Sequence, residues 1–187
     1  MKLRAVRAED AAGIGLVYAP FVTDNAVSFE TSPPDAGEIA SRIEAGGDLY
    51  PWIVAEDADG GLAGYAYATA FRARPAYRHT VETTVYLAPS AQRKGLGRRL
   101  YASLLATLEA QGFTQAIAAV TLPNPASVRL HESLGFIAAG VYRNVGYKLG
   151  GWHSVGLWQR PLAPLSIPPA ELLTVAKVGL QIAPGAL

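Results

Sequence analysis

TVETTVYLAPSAQRKGLGRRL, Thr80 to Leu100, carries the reading of the fold. Its first eight residues are β-branched or aromatic at almost every place, which favours a pleated strand. Period-two alternation puts Val81, Thr83, Val85 and Leu87 on one face and Glu82, Thr84 and Tyr86 on the other. Pro89 ends the strand. Gly95 and Gly97 sit in the turn that follows, and Leu96, Leu100, Leu104 and Leu108, flanked by Tyr101 and Leu105, then recur as a helical stripe up to Gly112. Strand, glycine-containing basic turn and helix in that order make a physically sensible cradle for a diphosphate. Glycines let backbone amides approach a ligand, and a helix N-terminus favours an anion. Arg93, Lys94, Arg98 and Arg99 add charge to the same turn, although a solvated basic helix start would look alike.

Two familiar phosphate motifs are excluded. GxxxxGK[ST] is absent, and the dinucleotide fingerprint requires a third glycine where this chain has Leu100.

Working outward, Leu3 to Val6 is expected as a strand, and Ala8-Glu9-Asp10 opens a helix toward Thr23. Asn25 to Pro34 reads as a loop and Asp35 to Ala45 as a second helix. Trp52 to Glu56 and Leu62 to Ala70 are strands joined at Asp59-Gly60-Gly61. Ala116 to Thr121 is a further strand, and Asn124 with Pro125 opens a helix closed by Gly135. Phe136 to Arg143 and Tyr147 to Trp158 are expected as strands around a turn near Gly146. Beyond Pro161 the prolines multiply, and Glu171 to Leu180 is weakly amphipathic. Residues 1–160 are thus expected as one domain, with 161–187 an extension packed on it or on a partner subunit.

The chain has 187 residues, 16 Lys+Arg against 15 Asp+Glu, and no cysteine. That length can bury roughly 70% of its extended surface. The missing thiols exclude disulfides, cysteine-bound metals and a cysteine nucleophile. Near-neutral charge argues against nucleic acid as a partner. No signal-like apolar run follows the basic start, and no stretch reaches the ~20 apolar residues of a membrane span. A soluble, cytoplasmic protein with no membrane partner is expected. His79, His131 and His153 are scattered with no paired-ligand spacing, so no metal is expected, and no GxSxG elbow occurs.

VYL (Val85 to Leu87), QRKGLG (Gln92 to Gly97), LPN (Leu122 to Asn124) and SVRLHESLGF (Ser127 to Phe136), in this order, resemble the GNAT acetyltransferase superfamily. YAPFV (Tyr18 to Val22), SFET (Ser28 to Thr31), YPWIVAE (Tyr50 to Glu56), GYAYA (Gly64 to Ala68), FRAR (Phe71 to Arg74), QGF (Gln111 to Phe113) and GYKLGGW (Gly146 to Trp152) are similar to the phosphinothricin and methionine sulfoximine acetyltransferases, over roughly residues 2–160.

The resemblance implies a single α/β domain with a central mixed, mostly antiparallel sheet, flanked by helices and splayed where acetyl-CoA enters. It implies acetyl transfer to the amino group of a small amino-acid analogue (methionine sulfoximine, methionine sulfone or phosphinothricin), in a detoxifying homodimer. Val85, Tyr86 and Leu87 would line the pantetheine arm. Amides of Arg93, Lys94, Gly95, Leu96, Gly97 and Arg98 would hold the diphosphate, and Asn124 and Ser133 would contact the cosubstrate.

An ammonium group must lose a proton before it attacks a thioester. The resemblance makes Glu82 the base; a strand-surface carboxylate paired with an arginine is the structural alternative. The thioester oxygen needs donors as it gathers charge, and a free N–H near Leu87 could serve. His131 stands where many relatives have a tyrosine, so it is either the acid for the departing thiolate or a packed helix residue. Arg72 and Arg74 suit an anionic group on the acceptor, or are merely exposed loop arginines. Phe29, Glu30, Tyr77 and the Trp152-His153 segment are pocket-wall candidates, and the aromatics could equally be core or dimer contacts. An acetyltransferase for another amine (a protein N-terminus, a polyamine, an antibiotic) and a non-catalytic acetyl-CoA sensor are the competing functions.

Overall fold

The computed structural model describes residues 1–184; Gly185, Ala186 and Leu187, the end of the expected extension, lie outside the described residues. Among the described residues seven strands form one sheet: β1 (Lys2–Ala5), β2 (Trp52–Glu56), β3 (Leu62–Ala70), β4 (Thr80–Leu87), β5 (Gln115–Leu122), β6 (Ile137–Lys148) and β7 (Gly151–Pro161). Their order across the sheet is β1-β2-β3-β4-β5-β7-β6. Every neighbouring pair is antiparallel except β4 and β5, which run parallel.

The central strands are apolar on both faces because helices cover both. Trp52 and Val54 face α1 (Ala11–Thr23) and α2 (Ala36–Gly46), where Ile14, Val17, Tyr18, Val22 and Ile39 complete one core. Their neighbours Ile53 and Ala55 join the other core under α3 (Leu96–Gln111), as strand alternation demands. Leu100, Leu104, Leu105 and Leu108 of the α3 stripe are buried there with Tyr101 and Phe113. Gly112 ends α3 at φ +92°. α4 (Pro125–Ser133) follows β5, and Asn124 caps it by accepting from the Ser127 amide at 3.1 Å.

One expectation changes. β6 and β7 turn at Leu149-Gly150, with Lys148 opposite Gly151, and not near Gly146. Leu149 at φ +52° and Gly150 at φ +79° supply the two positive φ values that a tight hairpin needs. Gly146 remains inside β6 because a ring packs on it: a Cβ there would lie 2.1 Å from Phe29. Within the weakly amphipathic Glu171–Leu180 piece of the extension, α5 (Val175–Val178) is helical. The rest of that segment runs along α3. Leu173 N–H donates to the Gln111 carbonyl at 2.8 Å, and the Gln111 amide donates to the Leu49 and Leu173 carbonyls at 2.9 Å each. Thr107 and Ser103 hydroxyls accept from Gln181 and Ala183 amides. Among the described residues no helix is long and apolar enough to cross a membrane.

Candidate acetyl-transfer site

β4 and β5 pair only at Thr80 with Gln115, Val81 with Ala116 and Glu82 with Ile117; beyond that they part. A bracket marks the fork. Tyr101, buried in α3, lies 2.7 Å from the Thr83 hydroxyl, which donates to the Ile117 carbonyl at 3.2 Å. The opening is a narrow crevice of about 50 Å³ lined by Thr84, Val85, Tyr86, Thr121, Asn124 and His131, with Val27 beside them.

The main chain of β4 faces this crevice in a defined way. Ala88 N–H donates to the Ala63 carbonyl, so antiparallel alternation turns the backbone of Thr84 and Tyr86 toward β3 and that of Val85 and Leu87 toward β5. With β5 gone by then, those groups are left for a ligand. The Leu87 carbonyl takes the Gln92 amide at 3.3 Å, and strand alternation turns the Leu87 N–H away from β3.

The following turn is built to receive an anion. Gly95 stands at the N-cap of α3 with φ +77° and no side-chain cap, so the first-turn amides of Leu96, Gly97 and Arg98 have no helical partner. Arg93, at φ +59°, and Lys94 are exposed beside them. These unpaired strand amides, the uncapped helix end and the basic turn fit a diphosphate carrying an extended arm, the shape of acetyl-CoA. Arg98 instead donates to the Ser133 hydroxyl at 2.8 Å, so Ser133 lies with Arg98 at the far end of α4, outside the crevice. Asn124 lines the crevice, but its side-chain oxygen already caps α4, which leaves its NH₂ as the free donor.

Glu82 occupies the last paired position of β4, on the face away from α3. It lines a cleft of about 350 Å³ with Phe71, Arg72, Ile117, Tyr142, Leu157 and Gln159. Burial raises its pKa above the ordinary carboxylate value. No arginine among the described residues forms an ion pair with it. Arg72 lies over the rings of Phe71 and Tyr77, at 5.0 and 5.7 Å from their centroids.

The other expected residues scatter. Arg74 is exposed and outside the cleft, at the start of the single helical turn Pro75–Tyr77. Glu30 pairs with Arg42 at 2.7 Å. Phe29 packs on Gly146, 6.3 Å from the His153 ring, while Trp152 is exposed at the hairpin tip beside Tyr147. His131 is buried edge-on against Tyr101 and Phe136. Its Nδ1–H donates to the Ser127 carbonyl at 2.7 Å, and burial lowers its pKa. Burial thus favours the neutral ring, whose Nε2 is an acceptor while Nδ1–H is spent on Ser127, and opposes the charged form that a general acid would need. Ile117, Tyr142, Leu157 and Gln159 were not visible as cleft residues, since they meet Glu82 only through sheet order. Among the described residues no group of three or more metal-ligating side chains converges.

A parallel pair of strands that opens beside an uncapped, glycine-entered helix defines an acyl-CoA-binding acetyltransferase fold. The chain belongs to the GNAT acetyltransferase family, whose domain model, described as "Acetyltransferase (GNAT) domain", matches residues 3–155. It is 44% identical over 178 residues to a phosphinothricin N-acetyltransferase of Streptomyces viridochromogenes, covering 95% of this chain and 96% of that protein. A methionine sulfoximine/methionine sulfone acetyltransferase of Pseudomonas paraeruginosa is 33% identical over 87% of this chain and 95% of its own. The crystal structure of a Sinorhizobium meliloti phosphinothricin acetyltransferase in complex with acetyl-CoA superposes with a TM-score of 0.84, at 40% identity, covering 87% of this chain and 88% of that one.

Proposed function

We propose that this chain transfers an acetyl group from acetyl-CoA to the primary amine of a small amino-acid analogue of the phosphinothricin or methionine sulfoximine kind. The observation that carries the reading is Glu82: a carboxylate with a raised pKa, ion-paired to no arginine among the described residues, where a closed sheet turns into an open crevice. Acetyl-CoA supplies the acetyl group activated as a thioester. Arg72 holds the acceptor's anionic group, and Glu82 takes a proton from its ammonium, directly or through one water. The freed nitrogen bonds to the acetyl carbon as the carbon–sulfur bond breaks; the departing sulfur keeps that electron pair and takes up the second proton that the acylated nitrogen sheds, leaving as the free thiol. The Leu87 N–H donates to the carbonyl oxygen as charge gathers there. Asn124 and the amides of Gly95 to Arg98 hold the cosubstrate. Neutral His131 contributes a proton acceptor at the inner end of the crevice, and Arg74, Phe29, Glu30 and Tyr77 act on the acceptor only from outside the Glu82 cleft.

Acetylation neutralises the amine of a toxic amino-acid analogue, which makes detoxification in the cytoplasm the natural role. Residues 1–160 carry the chemistry, and the extension braces α3. A homodimer belongs to the same reading: β6 is a sheet edge on which Ile137, Val141, Tyr142, Val145 and Tyr147 are exposed. Light scattering on the eluting protein tests it, a monomer at micromolar concentration counting against it.

The activity test is free-thiol release from acetyl-CoA with methionine sulfoximine, methionine sulfone, phosphinothricin, a polyamine and a peptide. Turnover confined to the three analogues, and lost in Glu82→Gln while acetyl-CoA still binds, is the expected result. Turnover of the polyamine or peptide alone would refute the acceptor class, and a fully active Glu82→Gln would refute the base.

A further inference from the structure

Lys148 ends β6 and is only 7% exposed. A buried ammonium costs free energy unless it is well partnered, and a methionine would fill the same space more cheaply. No carboxylate among the described residues lies within ion-pair distance of it. Among the described residues the ammonium's one hydrogen bond goes to the Ser28 carbonyl, at 2.6 Å and 120 residues away in sequence.

Ser28 belongs to a segment tied down at nearly every residue. The Thr121 hydroxyl donates to the Val27 carbonyl at 3.3 Å, from the β5 side of the crevice. The Ser28 hydroxyl lies 2.5 Å from the Tyr18 hydroxyl and accepts from the Glu30 amide at 3.1 Å. Arg42 holds Glu30, and Phe29 fills the space left by Gly146, two residues before Lys148. Val27 itself lines the crevice next to Thr84 and Tyr86, which share the Glu82 face of β4. Through Val27 the segment therefore walls the crevice on the sheet face that Glu82 shares, beside the Glu82 cleft and outside it. Lys148 is the only tie to it from the β6–β7 hairpin that carries a charge.

We propose that Lys148 is a positioning residue: by binding the Ser28 carbonyl it fixes the Val27–Glu30 wall against the hairpin and so sets the acceptor side of the site. This rests on the reading of the Glu82 cleft as the acceptor site. The desolvated ammonium, its pKa lowered by burial, strengthens its hydrogen bond to the carbonyl.

The experiment replaces Lys148 by Met in the full chain and reads three quantities. Acceptor kcat/KM should fall about 10- to 100-fold, the scale of losing a charged hydrogen bond, and mostly through KM. The KM for acetyl-CoA should stay at the wild-type value. Hydrogen exchange should accelerate in peptides spanning residues 23–33 and in no other. Tyr18→Phe, which cuts a different tie to Ser28, should loosen the same segment and keeps the test decisive if Lys148→Met folds poorly. Unchanged exchange in that segment overturns the proposal, and so does acceleration spread over the whole domain, which would make Lys148 merely structural. If the wild-type protein acetylates none of the analogues, the acceptor reading fails, and the exchange measurement alone upholds or overturns the tie.

Discussion

Removing the Thr83 hydroxyl should cost more than removing the Tyr101 hydroxyl, though the two share one hydrogen bond. The Ile117 carbonyl can only accept, so the Thr83 proton goes to it, and Tyr101 must donate to Thr83. Tyr101→Phe deletes a donor from a hydroxyl that keeps its other partner. The loss is one net hydrogen bond, about 1 kcal/mol. Thr83→Val strands one group, the fully buried Tyr101 hydroxyl, while the Ile117 carbonyl loses a second donor and keeps the Thr83 backbone N–H that closes the β4–β5 ladder. At about 1–3 kcal/mol for one unsatisfied buried group, the cost is about 1–3 kcal/mol. The double variant should be no less stable than Thr83→Val, because Tyr101→Phe then removes a stranded hydroxyl; the coupling is favourable by about 1 kcal/mol or more. Urea unfolding of all four proteins measures this, at one fixed concentration because self-association would shift the midpoints. Since the bracket sits at the fork of β4 and β5, Thr83→Val should also weaken acetyl-CoA binding. If the two single variants were equally stable, Tyr101 would have another partner and the assigned proton directions would be wrong.

Leu104→Ala, in the middle of the buried α3 stripe, should cost about 2–5 kcal/mol by urea unfolding and leave the ranking of acceptors untouched. Gly95→Ala has open space for its methyl group but must hold φ +77°; calorimetric titration should show acetyl-CoA affinity lowered about 5- to 30-fold by that 1–2 kcal/mol of strain. Glu82 has a folded-state pKa above its unfolded value, so its ionisation works against the fold: stability is highest below the ordinary glutamate pKa and declines as pH rises through the folded value. Glu82→Gln should therefore gain stability over wild type above that window and none below it. The acid limb of wild-type kcat/KM should lie above the usual carboxylate range.

The elements of the core were legible because each has a local cause. The four-residue leucine spacing of α3, the β-branched run of β4 and the Asn124-Pro125 start of α4 act within a few residues of themselves. What the sequence could not reveal lies between elements. Gly146 marks a turn by composition, yet here it marks the close approach of Phe29 from a distant loop, and the turn falls on a leucine that adopts positive φ. Arg72 and Arg74 have the same spacing from each other as any alternating pair, and only the path of the β3–β4 connection sends one into the Glu82 cleft. Lys148 carried no local signal, since its partner is a backbone carbonyl on the other side of the chain. His131 was readable as a substitution for tyrosine, but its acceptor tautomer depends on the hydrogen bond made by its other nitrogen.

β4 reconciles three demands through register alone. Its odd side chains, Val81 and Thr83 among them, face the α3 core, while of its even side chains Glu82 lines the acceptor cleft and Thr84 and Tyr86 border the crevice. The main-chain groups of the odd residues Val85 and Leu87 face the crevice, because the even ones are spent on β3. One slip along the strand would bury a carboxylate under α3 and turn the free amides away from the crevice together. Fold and chemistry therefore cannot be varied separately in this strand. The Tyr101–Thr83–Ile117 bracket, formed where pairing stops, stabilises the register at the one place where β5 no longer can.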